Sequence, residues 1–362
     1  NIFNNNFSKL TISNSILRYN VAERNGGAIY SYGGALTVSN CEIYDNTTTY
    51  QSNYSGGGAI SARGDIIIEF SEIYNNHSTW HGGGILIDNS SADVEIYNTR
   101  IFSNTSYQGG GGIGSFYGNS LKVVGCAIYD NIAQNSKGGG IHAGIRFYYN
   151  AYLYNNTIVN NTSGREGGGI FNQNSTFYLK NNIIAGNIDE SGFPDIYAND
   201  IVTSLGNNFI GNIGLQTYTP YMADFVGSDD NILDPMLNPD LTLQDNSQCI
   251  DAGGADTDGL GLYDEDLAGN DRIFNGSNNR IDIGAFEYQG NLTTNRLPFL
   301  LKVGDQLLEK NQTLELSVVY DEQNASDNNI VFVTSNNSNL QVSKESGDES
   351  GVIYTLIPTE NW

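Results

Sequence analysis

The chain has 362 residues, and 40 Asp+Glu against 16 Lys+Arg leave a formal charge of −24. So acidic a surface repels phosphates, which excludes a nucleic-acid partner or an anionic membrane surface. Only 15% of residues are charged while Gly (43), Tyr (23) and Asn (49) run high, a composition that disfavours helix, and no apolar run reaches the roughly 18 residues that would span a bilayer.

The chain opens on Asn1-Ile2-Phe3-Asn4, which lacks the basic start and apolar core of a signal peptide. It reads as the interior of a repeat, so the sequence is expected to be a piece of a longer protein. Seven segments then align without gaps on a closing Asn: 10–20, 36–46, 66–76, 94–104, 121–131, 151–161 and 177–187. The closing asparagines are spaced by 26, 30, 28, 27, 30 and 26 residues. Between segments a Gly run leads into Ile29, Ile60, Ile85, Ile113, Ile141 and Ile170.

Each unit carries three short strand signals. The first aliphatic positions of a segment alternate with polar ones at period two, as in a strand with one buried face. Three residues before the closing Asn runs an aliphatic column, Leu17, Ile43, Ile73, Ile101, Ile128, Ile158 and Ile184, which marks a second strand. The Gly-Ile step supplies a third. Three strands per 26–30 residues predict an all-β, right-handed parallel β-helix of three sheets and about seven coils. Six residues before the closing Asn stand Asn14, Asn40, Phe70, Asn98, Gly125, Asn155 and Asn181, which predicts a left-handed turn whose amides bond coil to coil in a ladder. The many Asn-x-Ser/Thr matches read as the chance yield of so Asn-rich a chain. Cys41 and Cys126 sit at equivalent places three coils apart, about 14 Å at ~4.8 Å per coil, too far for a disulfide; with Cys249 they read as small buried thiols.

The Gly-Gly-Ala/Ile steps paired with Tyr44-Asp45-Asn46, Phe102-Ser103-Asn104 and Tyr129-Asp130-Asn131 resemble the repeats of the polymorphic outer-membrane protein family and of related bacterial secreted β-helices in the pectate-lyase-like superfamily. Further on, Ser204-Leu205-Gly206-Asn207-Asn208, Cys249-Ile250-Asp251-Ala252-Gly253 and Arg280-Ile281-Asp282-Ile283-Gly284-Ala285-Phe286-Glu287 resemble the segment that closes the β-helix in anchored bacterial surface proteins. The resemblance covers roughly residues 10–290 and implies an extracellular protein on a bacterial cell surface. Residues 1–290 are therefore read as a β-helix with an irregular acidic C-terminal cap over 188–290.

Composition shifts at Gln289-Gly290-Asn291. Beyond it the stretches 313–320, 330–334 and 351–356 alternate as strands, similar to the immunoglobulin- or cadherin-like modules of bacterial surface proteins. Such a sandwich takes about seven strands and about 100 residues. Residues 291–362 are thus expected to hold a truncated Ig/cadherin-like β-sandwich, with further modules of the same parent chain as neighbours.

The superfamily's lyases and hydrolases imply clustered acids on one outward strand face, with a Lys or Arg base. With the Ile after each Gly run turned inward, the outward positions are Tyr30 and Tyr32, Ser61 and Arg63, Leu86 and Asp88, Gly114 and Phe116, His142 and Gly144, Phe171 and Gln173. No acidic cluster stands there. Arg63 and Asp88 read as a cross-rung surface ion pair of little worth, against a catalytic pair. Tyr30, Tyr32, Phe116, His142 and Phe171 are candidates for contacting a sugar or protein, as is Trp80 in the loop His77-Ser78-Thr79-Trp80-His81. Between residues 224 and 287 stand fifteen Asp/Glu against two Arg, and Asp256, Asp258, Asp264 and Asp266 gather around Gly turns as candidate Ca²⁺ ligands, against a solvated acidic cap. The functional expectation is a non-catalytic display and adhesion segment that binds a surface glycan or protein; the alternative is a polysaccharide lyase or glycoside hydrolase.

Overall fold

The computed structural model describes residues 1–5, 8–51, 55–88, 92–144, 149–190, 192, 194–214, 218–221, 223–254, 259–272 and 280–290, and beyond these the backbone of four strands. The chain divides into two units, residues 1–221 with 225–289, and residues 222–224 with 290–362.

The first unit is a parallel β-helix without a helix among its described residues. The expected three sheets are present: one of eight strands from Ile2–Asn4 to Ile196–Ala198, one of eight from Lys9–Ser13 to Val202–Ser204, and one of nine from Ile16–Arg18 to Phe225–Val226. A fourth ladder, unforeseen, stacks six two-residue strands from Val21–Ala22 to Thr162–Ser163, just after each closing Asn. Coils pair in register, Ile66 with Leu36 and Val94, Ile73 with Ile43 and Ile101. The Gly-Ile column (Ile29 to Ile170), the segment column (Leu36, Ile66, Val94, Leu121) and the third-sheet column (Ile43 to Ile184) are each at most 1% exposed and form one continuous core. Each such side chain stabilises the fold by roughly 1.5–3 kcal/mol relative to exposure.

The Gly runs are explained by close approach. A Cβ at Gly83 would stand 2.3 Å from the Gly111 carbonyl oxygen and 2.6 Å from the Thr105 carbonyl carbon, so no side chain fits between these coils. Left-handed backbone occurs at Asn14, Asn40, Phe70, Asn98, Gly125, Asn155 and Asn181, all with φ between 36° and 65°, as the turn reading requires.

The amide ladder, however, lies elsewhere. It is built by the closing asparagines: Oδ1 of Asn46, Asn76, Asn104, Asn131, Asn161 and Asn187 each accepts the backbone N–H and the Nδ2 of the closing Asn one coil earlier, at 2.8–3.0 Å. Asn46 to Asn187 are 0–1% exposed, and from Asn46 to Asn161 the side chains bond to one another and to coil carbonyls. The series stops at buried Asp195, whose Oδ1 accepts from Asn187 and whose Oδ2 accepts from Asn212. A shorter ladder joins Asn156, Asn182 and Asn208. Cys41, Cys126 and Cys249 are free and buried, and burial pushes the Cys126 thiol up to about 12.

The segment expected to cap the β-helix instead continues it and then runs along its flank. Strands Ile196–Ala198, Val202–Ser204, Phe209–Ile210 and Phe225–Val226 extend the three sheets. The outward third-sheet residues of the later coils, Ala127, Thr157, Val159, Ile183 and Ala185, are apolar or small and at most 3% exposed, because this segment covers them. Ala285 donates to Thr157 Oγ1 (3.0 Å), Gly284 to the Asn181 carbonyl, and Gly254 to Asn181 Oδ1 (2.9 Å). Asn98 Nδ2 donates to the Glu265 carbonyl and Asn207 Nδ2 to that of Ala252. The turn asparagines thus hold the folded-back segment. Coil to coil, their amides meet directly where Asn181 donates to Asn155 (3.1 Å), a single rung among the described residues and not the expected column. At its far reach Tyr263 donates to Glu69 and its ring lies 4.7 Å from that of Phe70.

In the second unit four strands form one antiparallel sheet in the order Phe299–Leu300, Leu314–Asp321, Gly351–Pro358, Leu340–Asp348. The strand expected at 330–334 lies outside the described residues.

Candidate functional site

The outward column of the first sheet runs in register as Phe3, Tyr30, Ser61, Leu86, Gly114, His142, Phe171 and Tyr197. The register is the expected one, but not the exposure. Leu86 and Phe171 are 0% exposed and His142 3%, since the connections before the Gly runs fold over this face. Lys137 Nζ lies 4.2 Å from the centre of the Phe171 ring, whose other neighbours are His142 at 5.0 Å and Tyr197 at 5.5 Å. Enclosure lowers the His142 pKa to about 3, so this imidazole is neutral and offers no surface contact. Phe116 has a side chain outside the described residues.

Trp80 is half-buried, stacked on Tyr107 of the next coil at 6.1 Å and set edge-on to His81 at 5.9 Å. His77 lies in the fourth ladder, its pKa lowered by burial, and His81 pairs its backbone with Gly56. The two histidines belong to different elements, and the Trp acts as packing for the loop.

Phe3 is 61% and Tyr32 39% exposed, and Tyr30 stands between them with ring distances of 5.6 and 5.9 Å. Arg63 reaches over Tyr32, 5.4 Å from its centre, and donates to Asp88 Oδ2 through Nε (2.9 Å) and Nη2 (2.6 Å). The Asp88 side chain is 4% exposed, so this is a partly buried pair and not the weak surface contact the sequence suggests. Burial opposes the Arg63 charge, but the Asp88 carboxylate more than offsets this and raises its pKa; burial raises the Tyr30 hydroxyl too. Beside them opens a groove of about 680 Å³ walled by Tyr30, Arg63, Ser55, Arg24, Glu23 and Val21 among others. Its size suits one or two sugar rings or a short peptide. Among its lining residues Glu23 is the carboxylate.

A second aromatic feature lies on the third sheet. Tyr44, Tyr74, Phe102 and Tyr129 stack at 4.7, 4.8 and 4.8 Å with interplanar angles of 9°, 8° and 5°. The strand spacing imposes this stack, and each inner ring spends both faces on its neighbours, so the column stabilises the coils rather than offering a platform.

In the folded-back segment, Asp256 and Asp258 lie outside the described residues. Asp264 is exposed, whereas Asp266 is 2% exposed with its oxygens accepting the backbone N–H of Ala268, Asn270 and Glu287. The acids that do converge are others: Asp251, Asp282 and Glu287 each place a carboxylate oxygen within 4.8 Å of the other two. They come from the two motifs that mark the closing segment. Asp282 accepts the N–H of Asp251 (2.6 Å) and of Tyr288 (2.6 Å), and Glu287 that of Asp282 (3.1 Å). Burial, then Asp282, drives the Glu287 carboxyl well above its usual range. Arg272, 4% exposed, is buried with them, its guanidinium filling the space that a side chain at Gly125 would need. No spacing rule in the sequence brings Asp251 to Glu287; only the fold-back does.

Residues 1–183 match the family model described as right handed beta helix region. A curated protein of Dictyostelium discoideum, metabotropic glutamate receptor-like protein R, is 30% identical over 138 residues, 38% of this chain and 8% of that protein. The chain therefore spans a small part of the length of this relative. No solved structure matches it.

Proposed function

The chain belongs to the family of right-handed β-helix regions, and from that premise we propose that it is a non-catalytic display and adhesion segment which binds a glycan or protein at the groove between Tyr30 and Arg63. The observation that carries this reading is the groove itself, lined by the half-buried Tyr30 ring and by Arg63, whose guanidinium is pinned by Asp88, with Glu23 as the carboxylate among its lining residues. Amphipathic rings and a fixed guanidinium suit sugar or peptide recognition. The name of the relative, a receptor-like protein, is compatible with an extracellular place, and the closing motifs favour a bacterial cell surface with further modules in the same chain, the Ig/cadherin-like one among them.

As part of this reading we assign Ca²⁺ to the acidic segment. Its fifteen acids against two Arg support this, with exposed Asp264 and, six and eight residues before it in the sequence, Asp258 and Asp256 as first ligands and the Asp251–Asp282–Glu287 group as the alternative.

The test is a glycan array together with immobilised pectin and alginate, read for retention and for products. Tyr32→Ala and Arg24→Ala should weaken retention, with no unsaturated or reducing ends released. Product formation that disappears in Arg63→Ala would establish the lyase or hydrolase instead.

A further inference from the structure

The closing asparagines do more than hold coils together, because of the residues placed just after them. An inward Asn leads into a two-residue strand whose second residue is again inward, and in four coils that residue is Thr48, Ser78, Ser106 or Ser163. The fold thereby writes Asn-x-Ser/Thr at Asn46, Asn76, Asn104 and Asn161. These acceptor triplets for N-linked glycans arise from the repeat and not by chance. A fifth, Asn155-Asn156-Thr157, lies at the turn.

None of these five asparagines can carry a sugar in the folded chain. All are 0–1% exposed. In the ladder both Nδ2 hydrogens are spent: Asn104 Nδ2 donates to the Ile73 carbonyl (2.8 Å) and to Asn131 Oδ1 (3.0 Å), and Asn161 Nδ2 to the Ile128 carbonyl (2.8 Å) and Asn187 Oδ1 (2.9 Å). Glycan transfer forms a bond from Nδ2 to sugar C1, breaks the sugar–pyrophosphate bond of the lipid-linked donor and removes one Nδ2 proton. One ladder hydrogen bond is lost at once, and a close-packed interior has no room for the sugar. The transferase meets the chain extended, before burial can protect it. By contrast Asn160, in Asn160-Asn161-Thr162, is exposed and would tolerate a glycan.

We infer that this chain folds on a route without co-translational N-glycosylation, and that passage through a glycosylating secretory pathway would block assembly of its β-helix. Such a constraint on biogenesis is independent of what the groove binds.

The experiment expresses the full chain in the secretory pathway of a eukaryotic cell, with and without an inhibitor of lipid-linked oligosaccharide synthesis, and separately in a bacterial cytosol. A second arm uses Thr48→Val, Ser78→Ala, Ser106→Ala, Ser163→Ala and Asn155→Gln combined, its folding verified in the bacterial host; should that variant not fold there, the inhibitor arm decides. Site occupancy is read by mass spectrometry and folding by protease resistance. The expected result is glycan on ladder asparagines and loss of the secreted, protease-resistant chain, restored by the inhibitor and by the variant. Wild-type chain secreted in protease-resistant form without inhibitor would overturn the inference, whether its ladder asparagines carry glycans or were skipped.

Discussion

Asn131→Ala in the middle of the ladder isolates what one rung contributes. The Asn131 side chain accepts from the Asn104 N–H (3.0 Å) and Nδ2 (3.0 Å) and donates to the Ile101 carbonyl (2.8 Å) and to Asn161 Oδ1 (2.9 Å), all at 0% exposure. Truncation leaves two donors of Asn104 without partners in a dry interior, while the Ile101 carbonyl keeps its place in the strand ladder with Tyr129. At about 1–3 kcal/mol for each buried unsatisfied group, with some relief from local relaxation, the cost is roughly 2–5 kcal/mol. Asn20→Ala removes the same side chain at the half-buried first rung, where no earlier closing Asn in the described chain donates to it and water can reach its partners. That change should cost under about 1 kcal/mol. Urea unfolding gives the two differences, and because a solenoid unfolds by neighbouring coils, amide hydrogen exchange locates the loss: the Asn104 N–H should lose protection first. Equal costs for Asn131→Ala and Asn20→Ala, or an unchanged Asn104 amide, would refute the ladder as a source of stability.

Burial raises the Asp195 carboxyl to about 7, against the opposing pull of its Asn187 and Asn212 hydrogen bonds. The folded chain therefore binds this proton more tightly than the unfolded chain does, so the Asp195 contribution is fully present below about pH 4 and declines as pH rises to about 7; Asp195→Asn should flatten that part of a pH–stability profile. Gly125→Val would place a Cβ 2.4 Å from Asn98 Oδ1 and 2.8 Å from Arg272 Nη2 at φ 65°, and should free the folded-back segment to limited proteolysis while the coils keep their β circular dichroism. Stability should rise with Ca²⁺ by about 2.7 kcal/mol at a hundredfold excess over Kd, and Asp258→Asn with Asp264→Asn should abolish the rise in melting temperature; a shift that survives there but not in Asp251→Asn would put the ion on the Asp251–Asp282–Glu287 group, and no shift at all would end the Ca²⁺ assignment.

Much of the coil architecture was legible because it is periodic. Ile43, Ile73 and Ile101 recur at one phase of the repeat and stack in the core, and Asn40, Asn98 and Asn155 mark left-handed turns that few other residues tolerate. The closing Asn is equally periodic, yet its inward direction depends on the left-handed residue just before it (Asp45, Asn75, Ser103), which reverses the expected alternation. What was not legible is tertiary. Phe171 and His142 keep their outward register but are covered by connections whose path no local pattern encodes. One signal was present and unread: Thr157-Ile158-Val159 and Ile183-Ile184-Ala185 have no charged outward residue such as Glu42 or Glu72 of earlier coils, which announces a strand buried on both faces.

The direction of the ladder sets a grammar for lengthening the rod. Every rung hands its two hydrogens forward and waits for the following coil to supply an oxygen, so an Asn always asks for a successor. Asp195 receives from Asn187 and Asn212 and has no amide hydrogen to pass on, and Asn212 beyond it ends in the same way, its Nδ2 bonded to the carboxylate of Asp229. A carboxylate at this position is thus a stop sign, and coils spliced in ahead of Asp195 leave the punctuation intact. The length of such a rod can drift by duplication of its interior, with no revision of the residues that end it.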